Sequence, residues 1–255
     1  MMHWKQWKER LRASGIHFGI SLGMAALAAL LVFGLWYPYP YREISGGRAL
    51  FLLVVAVDIV IGPLITLAIF NRAKPRRELL MDFTVIGALQ CAALGYGLWT
   101  VFVARPVHLV FEYSLFRVVH AVDVDPALLA QAPATLRELP LTGPSAISLR
   151  PFRNAQEQFD LTMQALNGVP LAVRSELWQP YEAAAAEIVR VSKPAADLKT
   201  RFPAHASQID AAVAATGRPI ENLRYLPLVG RQKAWTALID PASARPMGFF
   251  PLDPF

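Results

Sequence analysis

Three long apolar runs fill most of the first 105 residues: Phe18–Tyr37, Leu50–Phe70 and Leu80–Ala104. Each is close to the roughly 20 residues that an α-helix needs to cross a hydrocarbon core. Such a core holds no water for peptide N–H and C=O groups, so a run of this length is read as a helix that closes its own hydrogen bonds. The chain is 55% hydrophobic, but the excess lies in this part, and about 150 residues of ordinary composition follow. The fold class expected is a membrane protein with three transmembrane α-helices followed by an α+β extracytoplasmic domain.

Charge gives the orientation. Residues 1–105 hold eleven Lys and Arg against five Asp and Glu, whereas residues 106–255 hold fourteen of each. The isoelectric point near 9.7 therefore belongs to the apolar part and does not point to a nucleic-acid surface. Lys5, Lys8, Arg10 and Arg12 precede the first run, and Arg72, Lys74, Arg76 and Arg77 fill the link between the second and third. The first connection carries only Arg42 and Arg48, and Arg105 alone opens the stretch after the third run. Positive flanks stay cytoplasmic and suit an anionic inner leaflet. The division expected is a basic cytoplasmic N-terminus (1–16), spans at 17–37, 49–71 and 80–104, a periplasmic loop (38–48), a basic cytoplasmic loop (72–79) and a periplasmic α+β domain (105–255).

The first run has the basic start of a signal peptide but is long. It ends in Leu35-Trp36-Tyr37-Pro38-Tyr39-Pro40 with no small-x-small cleavage site, so it reads as an uncleaved anchor with aromatics at the interface. Cys91, the lone cysteine, lies in the third run and has no intrachain disulfide partner.

Two stripes of small residues mark the helices. Gly15, Gly19 and Gly23 recur every fourth residue, as do Gly87, Cys91 and Gly95. Such faces allow close helix approach. The plain reading is that the first and third helices pack on each other; the functional one is that a stripe stays open to a partner's transmembrane helix. Asp58 falls near the centre of the second run, one turn before Gly62-Pro63. A mid-membrane carboxylate is costly, and Pro63 removes a backbone donor and frees the Ile59 carbonyl. The site suits a helix contact, a hinge or a relay. A relay needs a chain of ionisable groups, and only His17, Asp82 and Gln90 are at hand; Asp82 reads as an interfacial anion near Arg76 and Arg77.

Beyond Arg105-Pro106 the pattern turns to period two. Val107, Leu109, Phe111 and Tyr113, then Phe116, Val118, Val122 and Val124, predict a strand hairpin turning near Ser114. Helices are expected around Phe159, Met163 and Leu166 up to Asn167-Gly168, over Tyr181–Val191 after Pro180, and over Ala204–Thr216. Strands return at Leu223–Val229, Ala234–Ile239 and Met247–Leu252, so strands from both ends of the domain are expected in one sheet.

Signals for catalysis are poor. The chain has no glycine-rich phosphate loop, no G-x-S-x-G and no H-E-x-x-H. His108 and His120 could face each other across the hairpin, but two histidines without a third ligand make a weak zinc site. Arg105, Trp178 and Tyr181 are candidate outer-domain contacts, with core packing the simpler reading of the two aromatics. No cofactor and no metal are expected.

The motifs together resemble the type IV pilin accessory proteins of the TfpX/TfpZ type. The resemblance rests on Leu35-Trp36-Tyr37-Pro38-x-Pro40, on Val57–Leu67 with its Asp58 and Gly62-Pro63, and on the basic link followed by Asp82–Ile86. Ala104-Arg105-Pro106-Val107, Glu176–Tyr181 and Ile239-Asp240-Pro241 extend it along nearly the whole chain. It implies a non-enzymatic inner-membrane factor that assists pilus assembly or surface display, with the major type IV pilin as partner. Other inner-membrane pilus assembly proteins and the lipid bilayer are further partners. Gly15, Gly19, Gly23, Asp58, Gly62, Pro63, Asp82, Gly87 and Gly95 are the expected helix-packing or partner-contact positions. The rival reading is a membrane-anchored sensor that binds an extracytoplasmic ligand and signals through a separate partner, since about 15 and about 10 residues of cytoplasmic chain hold no output domain.

Overall fold

Apolar length becomes helix in all three runs. In the computed structural model, α1 (Met2–Leu31) passes into a π-helical turn over Val32–Trp36, and α2 (Tyr41–Ile44) is one turn. The second and third runs give α3 (Gly47–Ile69) and α4 (Arg76–Val103). The structure describes residues 2–71, 73–231 and 233–255, without the side chains of Met2, His3 and Lys5. Of the basic residues used above, Arg72 and the side chain of Lys5 lie outside the described residues. Three helices, Gln6–Trp36, Gly47–Ile69 and Arg76–Val103, are long and apolar enough to cross a membrane. They start earlier than the apolar runs because Lys, Arg, Glu and Gln are good helix formers, so the helix continues through the basic flanks.

The chain divides into two compact units, Met1–Leu35 with Gly47–Val103, and Trp36–Gly46 with Ala104–Phe255. In the first unit α3 is the common partner, packing along both α1 and α4. The expected packing of the first helix along the third is not found: among the described residues α1 and α4 meet only at isolated points.

The second unit is built on one mixed sheet. Its strands are β1 (Pro106–Glu112), β2 (Leu115–His120), β3 (Ser145–Leu149), β4 (Trp178–Pro180), β5 (Lys193–Pro194), β6 (Arg224–Val229), β7 (Ala234–Ile239) and β8 (Pro246–Phe250). They run in the order β4-β3-β1-β2-β6-β7-β8, with β5 beside β6. β1 pairs with β3 and β2 with β6 in parallel, and the remaining pairs are antiparallel. The hairpin turns at Tyr113-Ser114, with Tyr113 at φ 58°. The helices are α5 (Pro126–Leu129), α6 (Ala155–Leu166), α7 (Ala185–Val191), α8 (Asp197–Arg201) and α9 (Ala206–Ala215). Leu109, Phe111, Phe116, Val118 and Leu228 pack on one sheet face with Ile188 of α7. Val110, Val119 and Ile147 pack on the other with Leu161 of α6, and α8 and α9 cover Tyr225 and Leu238.

Three expectations change. The segment read as a loop belongs to the sheet domain: Tyr37 and Ile44 are fully buried and Tyr41 nearly so. Ile44 leaves no room for a Cβ on Gly230, which would lie 2.3 Å from its Cγ1. The Tyr39 hydroxyl donates to the Phe249 carbonyl at 3.2 Å. Of the aromatics that look interfacial in sequence because they flank an apolar run, Tyr37 is a buried residue, whereas Tyr39 is exposed. Second, β2 stops at His120, a 3₁₀ turn takes Ala121–Asp123, and Val122 is exposed; Asp123, held by Arg231 at 2.7 Å and near His120 at 3.2 Å, pins that turn. Third, the helix around Phe159 has the expected period and end but the opposite phase. Leu161 is its buried residue, whereas Phe159, Met163 and Leu166 are exposed. At 100° per residue these three share the face opposite Leu161.

Because Ile44 is fully buried in the sheet domain, Ile44→Ala in the full chain should cost about 2–5 kcal/mol. Thermal unfolding in detergent, followed by proteolysis of the C-terminal domain, would show it; an unchanged digestion temperature would mean that the segment only rests on the domain.

Candidate functional site

α3 carries the feature from which the first unit is organised. At residue 62 there is no side chain, and a Cβ there would lie 1.9 Å from Gln90 Nε2. The Gln90 amide fills that space and donates to the Asp58 carbonyl at 3.3 Å. Pro63 lies within the helix and its carbonyl accepts from Ser14 Oγ at 2.8 Å. Side chains of the neighbouring helices thus reach the carbonyls of Asp58 and Pro63, on either side of the Ile59 carbonyl that Pro63 deprives of its donor.

His17 joins the three helices. Its Nε2 lies 2.6 Å from Gln90 Oε1 and its Nδ1 2.6 Å from Thr66 Oγ1. An amide oxygen only accepts, so Nε2 carries the proton, and in the neutral ring Nδ1 accepts a hydrogen bond from the Thr66 hydroxyl. Thr66 is buried, and a chain of bonds runs from it through His17 and Gln90 to the Asp58 carbonyl. Interhelical bonds of this type average about 0.6 kcal/mol each. Their larger effect is geometric: they fix α1 and α4 on α3 at one level, where the two outer helices meet through His17 and Gln90 while packing little elsewhere.

The consequence is a cleft of about 620 Å³ between α1 and α4. Ile16, Ile20 and Met24 wall one side and Phe83, Cys91 and Leu94 the other. His17, Gln90 and Asp58 also line it. The Asp58 carboxylate is half-buried there and has no hydrogen bond or ion pair among the described residues. Glu9 and Arg12 line the cleft toward the N-terminal part of α1.

The glycines divide accordingly. Gly62 and Gly97 make the close approaches, the latter against Val54, 2.3 Å from where its Cβ would be. Gly15, Gly19, Gly23, Gly87 and Gly95 have nothing within 4 Å of that position; of these, only Gly87 lines the cleft. Gly97 and Thr66 escaped the sequence reading. The signal for Gly97 was the spacing Ile86, Gly97, Val101, the buried stripe of α4, which the more regular Gly87–Cys91–Gly95 series obscures. Asp82 does pair with a cation, but with Lys74 at 2.7 Å.

The outer-domain candidates are interior residues. Trp178 is 1% exposed, with Nε1 donating to the Ala172 carbonyl at 2.8 Å. Tyr181 is 4% exposed, and its hydroxyl donates to the Ala244 carbonyl at 2.5 Å. They pack in different clusters on opposite sheet faces, so they form no common binding patch. Arg105 is buried, and its Nε donates to the Pro140 carbonyl at 3.1 Å. His108 sits against Trp178, ring centroids 4.7 Å apart, with Nδ1 2.8 Å from Ser145 Oγ. His120 turns to Asp123. Among the described residues no three His, Cys, Asp or Glu side chains are grouped to hold a metal.

The structure thus defines a protein with three membrane-length helices, an open polar-floored cleft among them, and an α+β domain. A family model described as fimbrial assembly protein FimB matches residues 5–46, which cover α1 and the segment built into the sheet domain. The fimbrial assembly protein of serogroup I of Dichelobacter nodosus is 34% identical over 231 residues, 90% of each chain. That of serogroup E1 is 33% identical over the same share, and that of serogroups C1 and C2 is 42% identical over 113 residues, 44% of this chain and 86% of that protein. The chain belongs to this fimbrial assembly protein family, in agreement with the resemblance read from its motifs. No solved structure matches it significantly.

Two outcomes follow. Gly62→Ala should displace Gln90 and break its two interhelical bonds, costing about 1–2 kcal/mol, while Gly95→Ala, which meets open space, should leave the melting temperature in detergent unchanged. Burial pushes the His108 imidazole down to about 4 from its usual 6.5, so it stays neutral in the folded state where the unfolded chain takes up a proton. Its stabilisation is complete above pH 6.5 and falls as pH drops toward 4, by about 1.4 kcal/mol per unit. His108→Phe should remove that slope between pH 6.5 and 5 in a series of unfolding measurements.

Proposed function

We propose that the chain is a multi-pass inner-membrane factor, without enzymatic activity, that assists the assembly or surface display of type IV pili by holding the major pilin. The observation that carries this reading is the cleft that α1 and α4 leave open above α3: its walls are apolar, and its shape follows from packing that stops short of closing the bundle. A single apolar helix is the partner such walls suit, because in lipid helix association relies on close packing and a few polar contacts. The printed name of the relatives, fimbrial assembly protein, supports pilus assembly as the setting.

Membrane insertion with the N-terminus cytoplasmic and residues 104–255 periplasmic is part of the proposal. Three crossings bring the segment between the first two helices and the chain beyond the third to the same side. That these two stretches build one sheet domain is what such a path requires. The basic residues before α1 and between α3 and α4 favour the cytoplasmic assignment of the opposite side. On the outer domain, the exposed apolar stripe of Phe159, Met163 and Leu166 on α6 is the surface that fits contact with a pilin head, in place of the buried Trp178 and Tyr181.

Cys91, exposed and on the cleft wall, is the natural probe. A cysteine-directed photo-cross-linker at Cys91 in cells making the pilin should capture the pilin, and deleting the protein should reduce surface pili. A periplasm-dependent phosphatase fused after Phe255 should be active. Full surface piliation in the deletion strain, or an inactive fusion, would refute the proposal.

A further inference from the structure

Asp58 is the middle residue of α3, which runs from Gly47 to Ile69, and its carboxylate faces the cleft without a bonding partner among the described residues. Among the described residues the polar groups beside it make their hydrogen bonds elsewhere. Gln90 directs one amide N–H to the Asp58 backbone carbonyl and its oxygen to His17. His17 divides its two ring nitrogens between Gln90 and Thr66. Ser14 is turned to the Pro63 carbonyl. Intramembrane carboxylates normally face a cavity or bundle interior and pair with another group. Here the cavity is present, and among the described residues the carboxylate interacts with the nearby His17 ring only through space, with no hydrogen bond or ion pair.

We propose that the cleft accepts a partner transmembrane helix carrying a cationic amine at its mid-depth, which pairs with the Asp58 carboxylate. This rests on the reading of the cleft as a helix-binding site and adds what the occupant must carry. Charge complementarity selects the occupant. An acyl chain fits the apolar walls but leaves the carboxylate unpaired, and a wholly apolar helix does the same. Only an occupant that brings a donor to the level of Asp58 satisfies both walls and floor. The Thr66–His17–Gln90 chain fixes that floor beside Asp58.

The test uses the full chain in phosphatidylcholine vesicles with two synthetic single-span peptides of about 20 apolar residues. They are identical except for a central Lys or a central Leu, and each bears one cysteine a turn away. Disulfide formation with Cys91 reads occupancy of the cleft. The Lys peptide should cross-link roughly tenfold better than the Leu peptide, a difference of about 1.4 kcal/mol. Asp58→Asn, which keeps the shape and one acceptor oxygen, should erase the preference, and Asp58→Glu should retain most of it. Equal yields of the two peptides with the unaltered protein overturn the inference, and that comparison needs no variant to fold. Because the peptides are not pilin, their failure is distinguishable from failure of the pilin cross-link.

Discussion

The first unit is organised around one short stretch of α3 where a helix lacks both a side chain and a backbone donor. Gly62 vacates the space that the Gln90 amide occupies, and the adjacent proline removes an N–H from the ladder. Polar side chains set among apolar helices bond to one another and to the exposed backbone carbonyls, so Gln90, His17, Thr66 and Ser14 converge on this stretch. Their convergence spaces α1 and α4 around α3. A bundle closed on all sides would have hidden the Asp58 carboxylate; the spacing leaves it lining an open cleft.

The same economy of contacts shapes the sheet domain. Its central pair β1 and β2 leaves directly from the end of α4, and the sheet grows outward from it through β3 on one side and β6 on the other. The face covered by α7 is also covered by α2 and Tyr41, supplied from between the first two long helices. Folding of this domain therefore requires chain from both sides of α3 and α4, and a truncation starting at residue 104 would expose the surface that Ile44 and Tyr41 cover. This dependence gives the family match over residues 5–46 a physical sense, because that stretch serves one unit with its helix and the other with its core aromatics.

Much of this was legible. The three helices follow from apolar length, the hairpin from alternation ending at Ser114, and α6 from its period and its Asn167-Gly168 stop. Of the strands expected at Leu223–Val229 and Ala234–Ile239, the first forms one residue shorter, as Arg224–Val229, and the second as expected. Short β3 and β4 were missed, because three to five residues give too little alternation to separate from turn. The phase of α6 was also missed: periodicity shows that Phe159, Met163 and Leu166 share a face, not whether that face is turned to the core. The site was visible only in part. Asp58, Gly62 and Pro63 stand out as exceptions in an apolar helix, whereas Thr66 and Gly97 look ordinary until a neighbouring helix is placed against them.

What the sequence alone determined is whatever depends on one segment at a time: helix by length and hydrophobicity, strand by alternation, and the odd carboxylate at mid-helix. What only the tertiary structure decided is pairing. It chose Gly62 and Gly97 over the more regular glycine stripes as close contacts, drew Tyr37 and Ile44 into the sheet domain, turned Trp178 and Tyr181 inward, and left the cleft beside Asp58 open. The reason is that a small residue, an aromatic ring or a carboxylate has the same local preference whichever neighbour it meets, and the identity of that neighbour is set by the packing of segments far apart in the chain.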